Sequence, residues 1–163
     1  MALDYFLKID GIRGESSDDK HKEEIELESF SWGVSQTGSF APGGGGGGGG
    51  SGKAEVQDVF VTMQASRASP TLMLSCVSGK HHKEAILTVR KAGKSQLEFM
   101  VFKFHDILIS SYQTGGSTPD DVVLDQASLA VADIQLEFRS QNDDGSLDVA
   151  VEAGWDVKNN KPL

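Results

Sequence analysis

Cysteine is nearly absent. Cys76 is the only one in 163 residues, so no disulfide within the chain is possible and nothing ties the protein to an oxidising compartment. Positive charge is scarce as well: 15 Lys and Arg stand against 24 Asp and Glu, a formal net charge of −9. An acidic surface repels phosphate backbones, so nucleic acid is not an expected partner. No run approaches the ~18–20 apolar residues of a membrane-spanning helix, so membrane insertion is not expected. The opening Met1-Ala2-Leu3-Asp4-Tyr5-Phe6 lacks the basic and long apolar regions of a secretory leader. The expectation is folding in the cytosol and, where the protein leaves the cell, export without a cleaved signal.

What remains is a composition of 38% hydrophobic and 24% charged residues, which suits a single globular domain spanning 1–163. The dominant pattern is short alternation. Tyr5 to Ile9 reads as a strand ending at the turn Asp10-Gly11. Residues 15–28 are dense in acid, with Ile25 and Leu27 alternating against Glu24, Glu26 and Glu28, which gives a half-buried strand with a solvated acidic face. Phe30 and Trp32 then fall on the parity of the glutamates. A bulge near Glu28 to Ser29 explains the slip. With Phe30 and Trp32 in the core, Ser29, Ser31 and Gly33 face outward as a small, smooth row.

Glu55 to Met63 reads as a strand. Ser69-Pro70 reads as an N-cap followed by proline at the first helical position. Leu72, Met73, Cys76 and Val77 form an apolar helical face, closed by Gly79. Ala85 to Arg90 and Leu97 to Ile109 form a hairpin across Ala92-Gly93-Lys94. The second of these is apolar on both parities, so one face is expected in the core and the other against a partner or the helix. Residues 113–121 read as a polar loop, Ile134 to Phe138 as a strand, Asn142 to Gly145 as a turn, and Val149 to Val157 as a last strand. The fold class is mainly β: a small barrel or sandwich of about eight strands with one short helix.

The most unusual segment is the unbroken run Gly43, Gly44, Gly45, Gly46, Gly47, Gly48, Gly49 and Gly50, followed by Ser51 and Gly52. Ordering ten such residues costs on the order of 10–20 kcal/mol. The run is expected to be mobile unless something outside the domain holds it, and it spans roughly 17 Å as a coil or about 35 Å stretched. A P-loop reading of Gly47 to Ala54 fails, because Ala54 lacks the hydroxyl that would hold Mg²⁺ and no buried strand precedes the run.

Candidate chemistry is sparse. His81-His82 read as a basic turn after the helix, since adjacent extended residues point to opposite faces and a zinc site needs three or four ligands. Cys76 reads as a small core residue rather than a nucleophile. The acidic stretch lacks the spacing of a calcium loop. No catalytic residue, cofactor or metal is assigned.

The order and spacing of several short motifs point to a family. These are Phe6-x-Lys8-Ile9 with Gly14-Glu15-Ser16 and His21; Phe30-Ser31-Trp32-Gly33-x-Ser35-Gln36 before a glycine-rich loop; Ser69-Pro70 and Ser78-Gly79-Lys80-His81; Leu87-Thr88-Val89-Arg90-Lys91-Ala92-Gly93; Ser110-Ser111 with Thr114-Gly115-Gly116-Ser117; and Gly154-Trp155. In these the chain resembles the haemolysin-coregulated protein (Hcp) family, which builds the inner tube of the bacterial type VI secretion system. The resemblance implies a β-barrel subunit closing into a hexameric ring. Rings stack into a tube tipped by a spike protein, propelled by a contractile sheath, with small effectors in the lumen. On parity, Ser29, Ser31 and Gly33 are the expected lumen and effector-binding residues, and Gly43 to Gly52 the expected ring-stacking loop. A different class of function, a monomeric β-sandwich that binds carbohydrate, requires Trp32, Trp155, Tyr5 or Tyr112 displayed as a stacking platform. A degenerate nucleotide hydrolase would have to rest on Lys53.

Overall fold

The computed structural model describes residues 2–36 and 54–163; Gly43 to Gly52 lie outside them. The described residues contain, in chain order, β1 (Leu3–Ile9), β2 (Ile25–Leu27), β3 (Ser29–Ser31), β4 (Val34–Gln36), β5 (Ala54–Val56), β6 (Val59–Gln64), α1 (Ala68–Ser78), β7 (His81–Lys91), β8 (Glu98–Gly115), β9 (Leu124–Phe138), β10 (Val151–Asp156) and β11 (Lys161–Pro162). The fold is mainly β with one short helix. The strand count exceeds eight because several are fragments. The stretch Glu55 to Met63, read as one strand, breaks at Gln57 and Asp58 into β5 and β6.

The sheet closes on itself through β9 and the β2–β3 segment. One edge of β9 pairs with β8; its other edge pairs with β6 over Leu124 to Leu129 and with β10 over Asp133 to Phe138. From β8 the ladder runs through β7 and β1 to β2. From β6 it runs to β3. Strands β2 and β3 are one continuous stretch, so the circuit is a barrel, which removes most open edges. The chain changes partner at Glu28, whose N–H donates to the Thr62 carbonyl at 2.8 Å. This is where the phase slip falls: Glu28 and Ser29 are exposed in succession, and burial moves from Ile25 and Leu27 to Phe30.

One core fills the barrel. Phe30 packs edge-on to Tyr5 and Phe102, and Trp32 to Phe102. The two apolar parities of β8 serve this core in succession, and α1 packs on the same strand. Phe102 and Phe104 are buried first, then Ile107 and Ile109. The change falls at Asp106, which has φ +48, a conformation rare for a residue with a Cβ.

Helix α1 inserts Ala68, Leu72 and Ser75 and exposes Met73 and Val77, so the expected apolar face is only half buried. Its N-terminal device sits one turn earlier than Ser69-Pro70 suggests. The Ala68 N–H donates to Ser66 Oγ at 3.1 Å, and the Ser66 N–H donates back to Ser69 Oγ at 3.0 Å, a reciprocal pairing like a capping box. Gly79, at φ +65, closes the C-terminus as expected.

The acidic stretch is not wholly solvated. Arg90, 3% exposed, donates to both Asp18 oxygens at 3.0 and 2.7 Å and to Asp4 at 3.1 Å. Its guanidinium lies 4.7 Å from the Phe6 ring centroid, and His21 stacks on the same ring at 4.3 Å. His21 in turn bonds Glu24 at 2.9 Å and Glu98 at 2.7 Å. The Arg90 hydrogen bonds hold the Asp18 carboxyl at about 2, below its ordinary 3.8. A carboxyl lowered in the folded state contributes stability above its unfolded value. That contribution is full above pH 3.8 and is lost as pH falls toward about 2. Acid unfolding of Asp18→Asn should therefore lack part of the slope that the parent chain shows in that window. Identical slopes would remove Asp18 from the acid response.

Candidate functional site

Strand β3 pairs with β6, β6 with β9, and β9 with β8, which sets its outward residues in cross-strand rows. One row is Ser29, Thr62, Gln126 and Gln113; the next is Ser31, Phe60, Ser128 and Ser111. Residues directly opposite one another in a sheet share a face. Both rows are free of charge. Ser29 Oγ and Thr62 Oγ1 are hydrogen-bonded at 2.5 Å. Ser128, 3% exposed, bonds Ser110 at 2.7 Å and Ser111 at 2.5 Å. Phe60, 52% exposed, is the one large apolar side chain in the two rows. The result is a low, uncharged surface four strands wide, bounded by Glu28, which accepts from Gln64, and by Asp58, which accepts from Ser110.

Of the three residues picked by parity, Ser29 and Ser31 lie in these rows, both exposed. Gly33 lies past the end of β3. Its carbonyl accepts from the Gln57 N–H at 3.0 Å, and the Gln57 side chain lies over it. The partner residues Thr62, Gln126, Gln113, Phe60 and Ser128 were not visible as a site. Their one sequence signal is weak: Thr62 and Gln64 alternate with the buried Val59, Val61 and Met63.

The histidines each meet a bonded partner. His81 and His82 are not a turn; they open β7. The strand aims His82 inward, where Nδ1 meets the Asp10 carbonyl at 2.8 Å and Nε2 meets Ser75 Oγ at 3.0 Å. His81 meets Asp106 at 2.8 Å on the outside. His105 contacts Asp133 at 2.6 Å and lies 3.7 Å from Glu84. Among the described residues no group of three or more His, Cys, Asp and Glu could hold a metal ion. Cys76 is half-buried on α1. Tyr5, Trp32, Tyr112 and Trp155 all pack partly against the core. No described helix is long and apolar enough to cross a membrane.

Comparison with known proteins agrees with this architecture. Residues 6–141 match the family model described as "Type VI secretion system effector, Hcp". The chain is 42% identical over 162 residues to a Pseudomonas aeruginosa protein named hcp1, with 98% of each covered. A solved structure titled as a type six secretion system protein superposes with a TM-score of 0.92 at 29% identity, covering 99% of this chain and all of that one. The crystal structure of Hcp1 from Salmonella typhimurium gives 0.80 at 34% identity, over 99% of this chain and all of the other. A barrel built from these motifs in this order, matched along its whole length, places the chain in the Hcp family of type VI secretion proteins.

Proposed function

We propose that the chain is a one-domain, non-catalytic tube subunit that forms hexameric rings, and that the rings stack into the inner tube of the secretion machine. In this reading the tube is capped by a spike protein, surrounded by a contractile sheath and expelled with small effectors in its lumen. The subunit is made in the cytosol and leaves by injection. The family membership supports this. The observation that carries the lumen assignment is the uncharged face of Ser29, Ser31, Thr62, Gln126 and Gln113. A conduit for cargo of varied charge needs a wall without fixed charge, since a single-signed wall would hold or repel cargo over a Debye length of about 8–10 Å. Gly33 is proposed at the edge of this wall. The run Gly43 to Gly52 is proposed to take part in ring-to-ring contact.

Ser31→Gln adds bulk at an exposed position of the wall. Effector retained on purified rings should fall by roughly tenfold, the equivalent of ~1.4 kcal/mol, while the ring peak is unchanged. Loss of rings in this variant would place Ser31 at a subunit interface and overturn the lumen assignment. The carbohydrate-binding alternative needs an open aromatic platform; Tyr5 and Tyr112 pack partly against the core, and Trp32 and Trp155, which line one groove, do so as well.

A further inference from the structure

The uncharged face is built by β3, β6, residues 110–115 of β8 and residues 124–129 of β9. Although 24% of the chain is charged, the one charged residue in these four segments is Asp125, which is 1% exposed. A third cross-strand row, Gln64, Leu124 and Gly115, continues the face beyond Thr62, Gln126 and Gln113. Two large apolar side chains stand up from it. Phe60 is 52% exposed between Ser31 and Ser128, and Leu124 is 42% exposed between Gln64 and Gly115. Small neighbours leave both uncovered, and the Gln64 amide turns instead to Glu28.

The rows of Phe60 and Leu124 are set by Ser128 and Leu124 of one strand, so they lie about 13 Å apart along it. Beside Phe60 is a hollow of about 280 Å³, walled on this face by Phe60, Thr62, Ser111, Gln113 and Gln126. The side-chain amides of Gln113 and Gln126 have no bonded partner among the described residues. A primary amide both donates and accepts, which matches the N–H and C=O of a peptide group. An uncharged floor offers a charged segment nothing to replace its hydration. A sugar would stack on the Phe60 ring but gain nothing from Leu124. Two apolar anchors with unbonded amides between them suit neutral polypeptide.

We propose that Phe60 and Leu124 anchor an extended, uncharged segment of an effector polypeptide, whose peptide groups bond Gln113 and Gln126. Residues four apart in an extended segment lie on one side, at the spacing of the two anchors. The proposal rests on the lumen reading above and names the chemistry by which that face selects cargo. A few anchors carry most of the energy in such a contact. Repeating the site around a ring lets weak single contacts add through effective concentration.

The probe is a radiolabelled peptide of glycine, serine and glutamine with capped ends, carrying two leucines four residues apart, about 13 Å when extended. Equilibrium dialysis measures its binding to purified rings of the full chain and of Phe60→Ser, Leu124→Ser and, on α1 away from this face, Val77→Ser. All three positions are exposed, and light scattering checks that each variant still forms rings. Binding should fall roughly tenfold in Phe60→Ser and in Leu124→Ser. It should be unchanged in Val77→Ser and between about 50 and 500 mM salt. An equal loss in Val77→Ser, a loss in high salt, or equal binding of the same peptide with serine for both leucines would overturn the proposal. So would rings that bind a linear glucan and not the peptide. Failure of Phe60→Ser or Leu124→Ser to form rings would place that residue at a subunit contact and overturn it too. Parent rings that form and bind no peptide overturn this proposal and leave the tube reading standing. A parent chain that forms no rings overturns the tube reading, and this proposal with it.

Discussion

Phe102→Ala should lower the stability of the chain by ~3–5 kcal/mol, the usual effect of deleting a buried phenylalanine ring. Phe102 is 4% exposed and is the point where three parts of the barrel meet. Its ring contacts Phe30 edge-on at 5.6 Å and Trp32 at 6.3 Å, and stacks beside Phe104 at 6.0 Å. Phe30 belongs to β3 and Phe102 to β8, strands from opposite walls that share no ladder. Side-chain packing alone therefore joins them here, and a cavity cannot be closed by sliding one hydrogen-bonded strand along another. Denaturant titration should show a lower midpoint with an unchanged slope, and the melting temperature should fall by roughly 6–20 °C for a domain of this size. A loss under ~1 kcal/mol would mean that the walls collapse readily into the space, and that Phe102 is not the centre of the core.

Gly14→Ala should be nearly as damaging, for a reason of backbone rather than burial. The Gly14 N–H donates to the Glu23 carbonyl at 2.8 Å and the Ser16 N–H to the Glu24 carbonyl at 3.0 Å, so two stretches of chain run side by side with nothing between them. A Cβ on residue 14 would meet the Glu24 carbonyl oxygen at less than any real contact distance. It would also lie 2.6 Å from the Glu24 carbonyl carbon and 2.8 Å from Ile25 Cα. All three are backbone atoms, so no side-chain rotation relieves the clash. Overpacking of this kind costs ~1–3 kcal/mol or more. The injury should be local. The loop that carries Asp18 and His21 should lift from Arg90 and Phe6, and the amides of Ser16 and Glu23 should lose hydrogen-exchange protection before the rest of the barrel. Unchanged protection at both amides would contradict the close approach.

The parts of this fold legible in the sequence are those where hydropathy and burial coincide. The phase slip at Glu28 could be read because Ile25 and Leu27 are buried by one parity and Phe30 by the other. Gly79 and the Asn142 to Gly145 turn could be read because a positive φ, at Gly79 and at Gly145, favours glycine. The first half of β9 could not. It buries Asp125 and Ser128, each bonded to hydroxyls from distant segments: Ser69 donates to Asp125 Oδ2, while Asp125 Oδ1 is left without a partner, and Ser110 and Ser111 bond Ser128. A strand that buries polar residues shows no alternation until its partners are known. The start of α1 was misplaced by two residues because Ser66 and Ser69 are both serines in plausible positions, and only the bond directions tell them apart. His81 and His82 were read as a turn because nothing local reports that Ser75 and Asp10 wait for the buried ring.

The candidate site shows the same limit. Parity on β3 alone was enough to point Ser29 and Ser31 outward. The rest of the uncharged face comes from β6, β8 and β9, up to about a hundred residues away in the chain, and only the register brings Thr62, Gln126 and Gln113 beside them. Gly33 shared the parity but not the strand, which ends at Ser31.

The central claim is self-assembly into rings, and light scattering across a size-exclusion peak, with negative-stain images of the same fraction, tests it most directly. Six copies of the 17.4 kDa chain weigh about 104 kDa. A peak at that mass with ring-shaped particles is the expected result. A 17.4 kDa monomer that persists at high concentration would contradict it.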